Sequence, residues 1–523
     1  MKMLNLSYFL TRSANHHPEH AAIIHGEITR SYRWLDQRVG RLARALLDLG
    51  LAKGDRVGLV VEAEPRSIEC LLAPLRAGLV LVPMNPRLHQ KEYAFMLREC
   101  GAKVLLCSSE RLDDLLSVRE ELPELEHLIA IDSGGIAGVG DYERFLGAAD
   151  TMADVEVADT DLAWIFFTSG TTGHPKGAMH THRSLRSMVE SQLIESLPVQ
   201  ADDRLAVLTP MSHAAGLMVF HEIAGAGTHV FPTFRGFQPE EFYALVEQQR
   251  ITKCMLVPTM IQRVLDGPWP TTHDLTSLRT VMYGAAPLYV ERLKEAVARF
   301  GPVFVGVFAQ GEAPLACTWL PKEEHIVTDE ASQRRLASVG RESYAVQVRV
   351  VDPDDRVVAP NTAGEIVVRG DLVMQGYWNN PEATLETMRN GWLHTGDVGH
   401  MDEGGYLYIT DRMKDMIIKG GTNIYPREIE EVLYADPDVR EATVFGIPDP
   451  KWGESIIAAV ALHDGAGSDE ASLGQWCLKH LSGFKKPHRF HFVDQLAKSG
   501  YGKILKREVR KELYPEVTRS IGG

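Results

Sequence analysis

The stretch FFTSGTTGHPKGAMHTH, residues 166–182, is a turn rich in glycine and hydroxyl groups between two extended segments. The apolar run LAWIFF leads into it and the alternating segment AMHTH closes it, and both patterns predict strands. The turn does not fit a Walker phosphate loop, because Gly170 and Gly173 are too close together and Gly177, which has no hydroxyl, follows Lys176. Its hydroxyls and its lysine still suit a phosphate ligand, since glycines let the backbone approach closely. The alternative is a solvated hairpin turn.

The segments on both sides of this turn alternate between helical and strand patterns. The segment SYRWLDQRVGRLARALLDLG, from residue 31, has one apolar helical face, and the short apolar run DRVGLVVEA follows it. That face consists of Leu35, Val39, Leu42, Leu46 and Leu49. The same alternation returns after residue 203 in runs such as RLAVLTP, ITKCMLVPT and VFVGVF. The pattern predicts two α/β subdomains, each with a largely parallel sheet covered by helices.

The C-terminal part of the chain has a different pattern. After about residue 340, short strands separated by turns predict a small β-barrel-like segment. From about residue 415, strand patterns such as REATVFGI mix with helical ones such as YPREIEEVLYA, which predicts a compact α+β unit. The charged residues of TDRMKDMIIKGG mark the boundary. We therefore predict an α/β protein with a large N-terminal domain, residues 1–411, and a small α+β C-terminal domain, residues 415–523.

Composition excludes several classes of partner. Lys and Arg number 55 against 70 Asp and Glu, and the net charge of −15 argues against a nucleic-acid or anionic-membrane partner. The six cysteines show no metal-binding or CxxC spacing, so neither a zinc site nor a disulfide framework is indicated. No run approaches the ~18 apolar residues of a membrane helix. We expect a cytoplasmic protein without integral membrane association, and leave a homodimer open.

Six motifs lie along the chain in an order that resembles the adenylate-forming superfamily: FTSGTTGHPKGAMHTH, MYGAAPL, GVFAQGE, GWLHTGD, YITDRMKDMIIKGGTNIYPREIE and SGYGKILK. That superfamily contains acyl- and aryl-CoA synthetases, firefly-type luciferases and the adenylation domains of peptide synthetases. The resemblance covers nearly the whole chain, and six ordered motifs are far more specific than any one of them. It implies that ATP and a carboxylic acid form an acyl-adenylate, from which a thiol then takes the acyl group.

The resemblance implies a nucleotide site. The loop from Thr168 to Lys176 would hold the pyrophosphate end of ATP, and Glu312 would bind Mg²⁺. Asp397 would accept both ribose hydroxyls, because a carboxylate offers two acceptor oxygens to a vicinal diol. Taken singly, such residues also suit ordinary turns or ion pairs. The residues implied for ATP or AMP are Thr168, Ser169, Gly170, Thr171, Thr172, Lys176, Gly284, Ala285, Ala286, Gln310, Gly311, Asp397, Ile409 and Arg412.

The resemblance also implies two successive reactions served by one mobile small domain. Lys503 would bridge the carboxylate and the α-phosphate during adenylation, although in isolation such a lysine is usually solvated. The C-terminal domain would then rotate about Lys414, within a hinge at residues 412–414, to bring its other face to CoA. Gly420 and Gly421 would line the pantetheine tunnel. The resemblance also implies Lys485 or Lys486 near the CoA phosphates.

The acid is argued from the residues around PMSHAAGLM. His213, Met211, Gly216 and Val307 are implied in the acyl pocket, and the alternative for His213 is a buried structural histidine. None of them carries a fixed charge, so the sequence predicts an apolar acyl or aryl acid, with its identity and chain length unread. The absence of an aspartate in this stretch, and the few residues after Lys503, favour free CoA as acceptor over an amino-acid-activating, carrier-fused enzyme.

Two positions depart from the usual family pattern. Gly311 stands where a threonine commonly contacts phosphate, and Ala497 stands where a proline commonly begins the lysine motif. We expect the second change to affect loop stiffness alone. Three rival functions share the motifs and stay open: loading of a carrier protein, luciferase-like oxidation of the adenylate, and nucleotide binding without catalysis. The last would predict lesions at Lys176, Glu312 or Lys503, and none is present.

Overall fold

The structure is a computed structural model of the 523-residue chain. It describes residues 2–3, 5–132, 138–147, 149–168, 175–270, 272–286, 288–412, 415–419, 422–498 and 504–515. The helices within these residues, numbered in chain order, are α1 (Tyr8–His16), α2 (Tyr32–Asp48), α3 (Arg66–Arg76), α4 (Gln90–Cys100), α5 (Leu112–Ser117), α6 (Tyr142–Gly147), α7 (His182–Ser191), α8 (Ala214–Ala224), α9 (Pro239–Gln249), α10 (Pro258–Asp266), α11 (Val290–Phe300), α12 (Glu330–Arg335), α13 (Pro381–Thr387), α14 (Pro426–Tyr434), α15 (Glu470–His480) and α16 (Lys506–Leu513).

The strands are numbered in the same way and are mostly short. They are β1 (Lys2–Met3), β2 (Ala21–His25), β3 (Ile28–Ser31), β4 (Arg56–Val60), β5 (Val80–Pro83), β6 (Ala102–Cys107), β7 (His127–Ala130), β8 (Gly140–Asp141), β9 (Val157–Ala158), β10 (Leu162–Thr168), β11 (Lys176–Thr181), β12 (Arg204–Ala206), β13 (Thr228–Phe231), β14 (Lys253–Met255), β15 (Thr280–Tyr283), β16 (Phe304–Gln310), β17 (Ala313–Leu320), β18 (Arg341–Glu342), β19 (Val346–Val351), β20 (Gly364–Gly370), β21 (Met388–Arg389), β22 (Trp392–Met401), β23 (Leu407–Arg412), β24 (Ile417–Lys419), β25 (Thr422–Ile424), β26 (Val439–Asp449), β27 (Gly453–Leu462) and β28 (Arg489–Phe492).

Two large sheets confirm the predicted pair of α/β subdomains. The first has the order β11-β10-β5-β4-β6-β7-β8, in which only the β10–β11 pair is antiparallel. The second has the order β18-β17-β16-β15-β14-β12-β13-β2-β3, parallel from β16 to β2 with antiparallel strands at both edges. The strand β2 comes from the start of the chain, which periodicity alone did not indicate.

Two smaller sheets follow along the chain. The predicted β-barrel-like segment is an antiparallel sheet in the order β19-β20-β22-β21, with β23 on the other part of β22. The last sheet has the order β25-β24-β27-β26, with β28 parallel to β27. It packs with α14 and α15 around an apolar cluster of its own, which includes Ile417, Leu433 and Ile456. The α+β character predicted for this part is therefore confirmed.

Local sequence explains where several helices begin. Ser31 caps α2 by accepting a hydrogen bond from the Trp34 N–H, and Asp469 caps α15 by accepting one from the Ser472 N–H. All six cysteines are buried and unpaired, as expected for thiols in the core. None of the helices in the described part of the chain is long and apolar enough to cross a membrane.

Candidate active site

A cavity of about 280 Å³ lies where the second sheet, the third sheet and the C-terminal α+β unit meet. The strands β15 and β16 end beside it, and β22 and β23 supply another part of its wall. Five of the residues predicted to contact the nucleotide line it, together with Val307 of the predicted acyl set. These five are Gly284, Ala285, Ala286, Asp397 and Ile409.

The turn after β15 forms part of the cavity wall. A Cβ at Gly284 would lie 2.7 Å from the carbonyl oxygen of Val307, so only glycine lets this backbone approach β16 so closely. Ala285 adopts a left-handed backbone with φ of 68°, which is uncommon for a residue with a side chain. The small side chains of this turn leave room for a planar group against the wall.

Asp397 is buried and held by a side chain from β16. Gln310 Nε2 donates to Asp397 Oδ2 at 2.7 Å and to the Thr395 carbonyl at 2.9 Å. The Asp397 N–H in turn donates to Thr395 Oγ1 at 3.1 Å. Two predicted site residues, 87 positions apart, are thereby joined. The amide fixes the orientation of the carboxylate at the cavity wall.

Glu312 is oriented by two hydroxyl groups. Its Oε1 accepts hydrogen bonds from Thr168 Oγ1 at 2.9 Å and from the Tyr377 hydroxyl at 2.8 Å. Lys176 Nζ lies 5.2 Å from the centre of the Tyr377 ring, within cation–π range. Burial, reinforced by the charge of Glu312, raises the pKa of Tyr377, so the phenol stays protonated and donates. The structure thus brings Thr168, Lys176 and Glu312 together around Tyr377, which the sequence analysis did not single out.

A histidine holds the glycine that departs from the family pattern. His180 Nε2 lies 2.7 Å from the Gly311 carbonyl oxygen, and because a carbonyl can only accept, Nε2 carries the proton. Burial lowers the pKa of His180 to about 4, which keeps the ring neutral. A Cβ at Gly311 would overlap the Thr168 methyl and come 2.9 Å from a ring carbon of Phe166, and its φ is not left-handed. Lack of space, rather than backbone conformation, explains the glycine.

The other predicted acyl residues lie outside the cavity wall. Met211 and Gly216 are buried. Neither of them, nor His213, is among the residues that line the 280 Å³ cavity. His213 packs edge-on against Phe166 at 5.1 Å between ring centres and has its Nδ1 2.8 Å from Ser212 Oγ. Burial lowers the pKa of His213 to about 4. His213 is therefore a neutral side chain that packs against β10 at Phe166. Phe166 lies two residues before Thr168 in that strand.

The C-terminal unit closes the cavity from the opposite side. Ile504 and Lys506, from the lysine motif, belong to the wall. Lys506 Nζ lies 3.1 Å from Glu430 Oε1 and 4.0 Å from Asp411 Oδ2. Asp411 Oδ2 also accepts a hydrogen bond at 3.1 Å from the Arg427 N–H, in the first turn of α14. These contacts join the strand before the predicted hinge to the unit that follows it.

A second interdomain contact is aromatic. The rings of Tyr289 and Tyr434 stack with their centres 3.7 Å apart and their planes at 21°. The Tyr289 hydroxyl also donates to Glu430 Oε2 at 3.4 Å. This orientation of the C-terminal unit places residues directly after Lys503 at the cavity.

The predicted CoA lysines lie on another face of that unit. Lys485 Nζ donates to both carboxylate oxygens of Glu428, at 2.6 and 2.7 Å, and Lys486 Nζ donates to the Pro487 carbonyl at 3.2 Å. Nearby, Lys419 Nζ donates to the Phe484 carbonyl at 2.8 Å. Ile418, Trp452 and Phe484 are each 48% exposed. We call Ile418, Lys419, Lys451, Trp452, Phe484 and Lys486 the lysine–aromatic surface.

Several predicted residues fall outside the described part of the chain. These are Ser169, Gly170, Thr171, Thr172, Lys414, Gly420, Gly421 and Lys503. Arg412 ends β23, where its backbone pairs with that of Asp397. Among the described residues, no group of three or more His, Cys, Asp or Glu side chains could together hold a metal ion. A single carboxylate such as Glu312 still fits Mg²⁺, which commonly takes one or two protein carboxylates and completes its shell with phosphate oxygens and water.

Comparison with known proteins gives a consistent picture. The AMP-binding enzyme family model matches residues 10–378, and that of the AMP-binding enzyme C-terminal domain matches residues 428–503. The chain is 36% identical to a feruloyl-CoA synthase of Amycolatopsis sp over 513 residues, which cover 98% of this chain and 99% of that protein. It is 34% identical over 520 residues to a long-chain-fatty-acid–CoA ligase of Mycobacterium tuberculosis, covering 98% and 99% of the two chains.

A solved structure agrees in fold and length. ATP-bound MatB from Rhodopseudomonas palustris superposes with a TM-score of 0.87 at 31% identity, over 98% of this chain and 99% of that one. The resemblance drawn from six motifs is therefore confirmed, and the chain belongs to the AMP-binding enzyme family.

Proposed function

We propose that the protein is an ATP-dependent carboxylate–CoA ligase that works through an acyl-adenylate. A carboxylate oxygen of the acid attacks the α-phosphorus of ATP, the bond to the β-phosphate breaks, and pyrophosphate leaves. The thiolate of CoA then attacks the acyl carbon, the bond to AMP breaks, and the products are acyl-CoA and AMP. The observation that carries the proposal is that residues from separate motifs bond to one another: Thr168 to Glu312, and Gln310 to Asp397, which lines the cavity.

The first reaction depends on positioning and charge. In this proposal the loop from Thr168 to Lys176 binds the terminal phosphates, Asp397 binds the ribose, and the turn at Gly284–Ala286 faces the adenine. Mg²⁺, held by Glu312 and phosphate oxygens, supplies charge neutralisation when bound. Lys503 donates to the oxygens on which charge builds as the acid attacks. Its neighbour Ile504 lines the cavity, which supports this role.

The second reaction uses the other face of the C-terminal domain. We propose residues 1–411 as the domain that binds ATP and the acid, residues 412–414 as the hinge, and residues 415–523 as the domain that turns about Lys414. Gly420 and Gly421 then line the pantetheine path. The nucleotide part of CoA then contacts the lysine–aromatic surface, which includes Lys486, and the neighbouring Lys485. Exposed aromatic rings next to ammonium groups suit a ligand with a base and phosphates.

The acid is proposed to be an apolar acyl or aryl acid. His213 is neutral, and Met211, Gly216 and Val307 carry no charge, so none of these four residues offers an ionic partner to a polar tail. The relatives' names, which include a feruloyl and a long-chain fatty acyl substrate, span the same chemical range. Loading of a carrier protein is the second candidate, because it would use the same first reaction.

The test is pyrophosphate release measured over a panel of fatty and aryl acids, with and without CoA. We expect acid-dependent release, and stoichiometric AMP and acyl-CoA once CoA is present. Thioester formed only with an added acyl carrier protein would favour the second candidate. ATP turnover that ignores the acid would contradict both.

A matched pair of variants separates the two reactions. Lys503→Ala should lower adenylation by roughly 10² or more, the scale of losing a preorganised donor, yet leave thioester formation from supplied acyl-adenylate intact. Lys511→Ala, an exposed lysine on α16, is the control and should change neither rate. Equal losses in both reactions for Lys503→Ala would contradict its assignment to adenylation.

A further inference from the structure

Tyr377 lies between two predicted phosphate-site residues that differ in charge. Its hydroxyl donates to Glu312 Oε1 at 2.8 Å, and its ring centre lies 5.2 Å from Lys176 Nζ. The aromatic face is the negative side of the ring quadrupole and attracts an ammonium group, while the hydroxyl is a donor suited to a carboxylate. One side chain therefore contacts the anionic and the cationic residue at the same time.

The backbone around Tyr377 is fixed to the strand that carries Lys176. Tyr377 forms an antiparallel bridge with Ala178 in β11, and the Trp378 N–H donates to the Gly177 carbonyl at 2.8 Å. The Tyr377 N–H donates to Thr384 Oγ1 at 2.8 Å. Tyr377 as a whole residue is only 8% exposed. These contacts fix the backbone of Tyr377 to β11 and so restrict where its ring and hydroxyl can lie.

The two hydroxyl donors meet the same oxygen of Glu312. Thr168 Oγ1 and the Tyr377 hydroxyl both bond to Oε1, and within the described residues no donor is bonded to Oε2. An ionised carboxylate has acceptor sites on both oxygens. Occupying one oxygen with two protein donors sets the rotation of the group and keeps its second oxygen for another ligand.

We propose that Tyr377 is a positioning residue that orients Glu312 for a divalent cation and Lys176 for the nucleotide phosphates. The inference rests on the proposed function for its ligand, the metal–nucleotide complex. The hydroxyl, with that of Thr168, turns Glu312 so that Oε2 meets the cation. The ring holds the Lys176 ammonium group on the same side. The tyrosine itself touches neither the acid nor the reacting phosphorus in this assignment.

The test measures cation binding directly, without turnover. Free Mn²⁺ is followed by electron paramagnetic resonance while it binds to the full chain in the presence of a non-hydrolysable ATP analogue, with no acid or CoA. Tyr377→Phe removes only the hydroxyl, and we expect the apparent Kd for Mn²⁺ to rise about tenfold, as for loss of a hydrogen bond to a charged group. Thr168→Val, which removes the second donor, should shift it in the same direction.

The ring is tested separately. Tyr377→Leu removes both the hydroxyl and the ring. It should show the same tenfold rise in the apparent Kd for Mn²⁺. Because Lys176 then loses its cation–π contact, affinity for the ATP analogue should also fall about threefold. Affinity for AMP, which lacks the terminal phosphates, should change little in Tyr377→Phe. The control is Tyr408→Phe, since Tyr408 also donates to a carboxylate, that of Asp402, at 3.1 Å, and neither residue belongs to the proposed cation or phosphate site.

The possible results are distinct. An unchanged Mn²⁺ affinity in Tyr377→Phe, or an equal loss in the Tyr408→Phe control, overturns the proposal. An equal loss of AMP affinity overturns it too, because that indicates general damage to the site. Tyr377→Phe keeps the packing of the ring, so the test holds even if the leucine variant does not fold. A wild-type protein that binds Mn²⁺ and nucleotide but activates no acid would contradict the proposed ligase function while leaving this assignment standing.

Discussion

The region around Glu312 and the lysine–aromatic surface both carry charged side chains, but they are organised in opposite ways. Around Glu312 the functional groups bond to one another across long sequence separations, as Thr168 does with Glu312 over 144 positions. On the lysine–aromatic surface Lys419 and Lys486 donate to nearby carbonyls, while Trp452 and Phe484 remain 48% exposed. The first region is preorganised for a small ligand. The second leaves its aromatic rings open to solvent.

This difference bears on the two proposed reactions. A preorganised site stabilises developing charge without reorganisation, so single changes there have large effects on rate. Exposed charged groups are screened by salt and water, so single changes there have small effects. The variants below are therefore expected to fall into two groups, with large effects on adenylation and small effects on CoA use.

The largest effect is expected at Glu312. Glu312→Gln keeps the size of the side chain but removes its charge, and we expect ATP–pyrophosphate exchange to fall by roughly 10²–10³. Glu386→Gln, at an exposed position on α13, serves as the control and should have no effect. If exchange in Glu312→Gln stays within a few-fold of wild type, the preorganised region is not the site of adenylation.

Asp397→Asn tests the other carboxylate at the cavity. Asp397 receives a hydrogen bond from Gln310 and is proposed to accept from the ribose. Loss of hydrogen bonds to a charged acceptor should raise the KM for ATP by about 10- to 100-fold. ATP analogues that lack the 2′- or the 3′-hydroxyl sharpen the test. Wild type should discriminate against them and Asp397→Asn should not, whereas equal discrimination by both would remove Asp397 from the ribose.

The sequence made much of this arrangement predictable, but through motifs rather than periodicity. Thr168, Glu312 and Asp397 were located by their motifs, and the hairpin of β10 and β11 by its alternating pattern. No sequence pattern assigned a role to Tyr377 or His180. Their partners, Glu312 and Gly311, lie 65 and 131 positions away in the chain. A tyrosine or histidine in a β-rich segment carries no local sign of such a partner. The pairing of β2 with β13 in the second sheet was not predicted for the same reason, because strand pairing depends on residues far apart in the chain.

Gly311 provides an intermediate case, because the sequence marked it as a departure without giving the reason. Gly311→Ala places a methyl group against Thr168, and we expect adenylation to fall about tenfold and stability by about 1–3 kcal/mol, typical of overpacking. Adding Thr168→Ser to this variant removes the overlapping methyl group, and should restore part of the adenylation rate and part of the stability. Adenylation rates and chemical denaturation of the two single variants and the double variant form a mutant cycle. Strict additivity would show that the two side chains do not compete for space.

The smallest effects are expected at Lys486 of the lysine–aromatic surface and at Lys485 beside it. Lys485 and Lys486 are neighbours, but the Lys485 ammonium is already paired with both oxygens of Glu428, whereas Lys486 donates only to a backbone carbonyl among the described contacts. If this surface meets the CoA phosphates, Lys486→Ala should raise the KM for CoA about threefold, as for an exposed ion pair, and Lys485→Ala should raise it less.

The KM for ATP should be the same in both variants. Pantetheine, which lacks the nucleotide phosphates, is the matched substrate, and its KM should not respond to Lys486→Ala. Raising the salt concentration should shrink the difference between wild type and Lys486→Ala, because screening weakens contacts between exposed charges. A rise in the KM for pantetheine equal to that for CoA would instead indicate that Lys486 supports the fold of the C-terminal unit, and the exposed surface would then need another ligand.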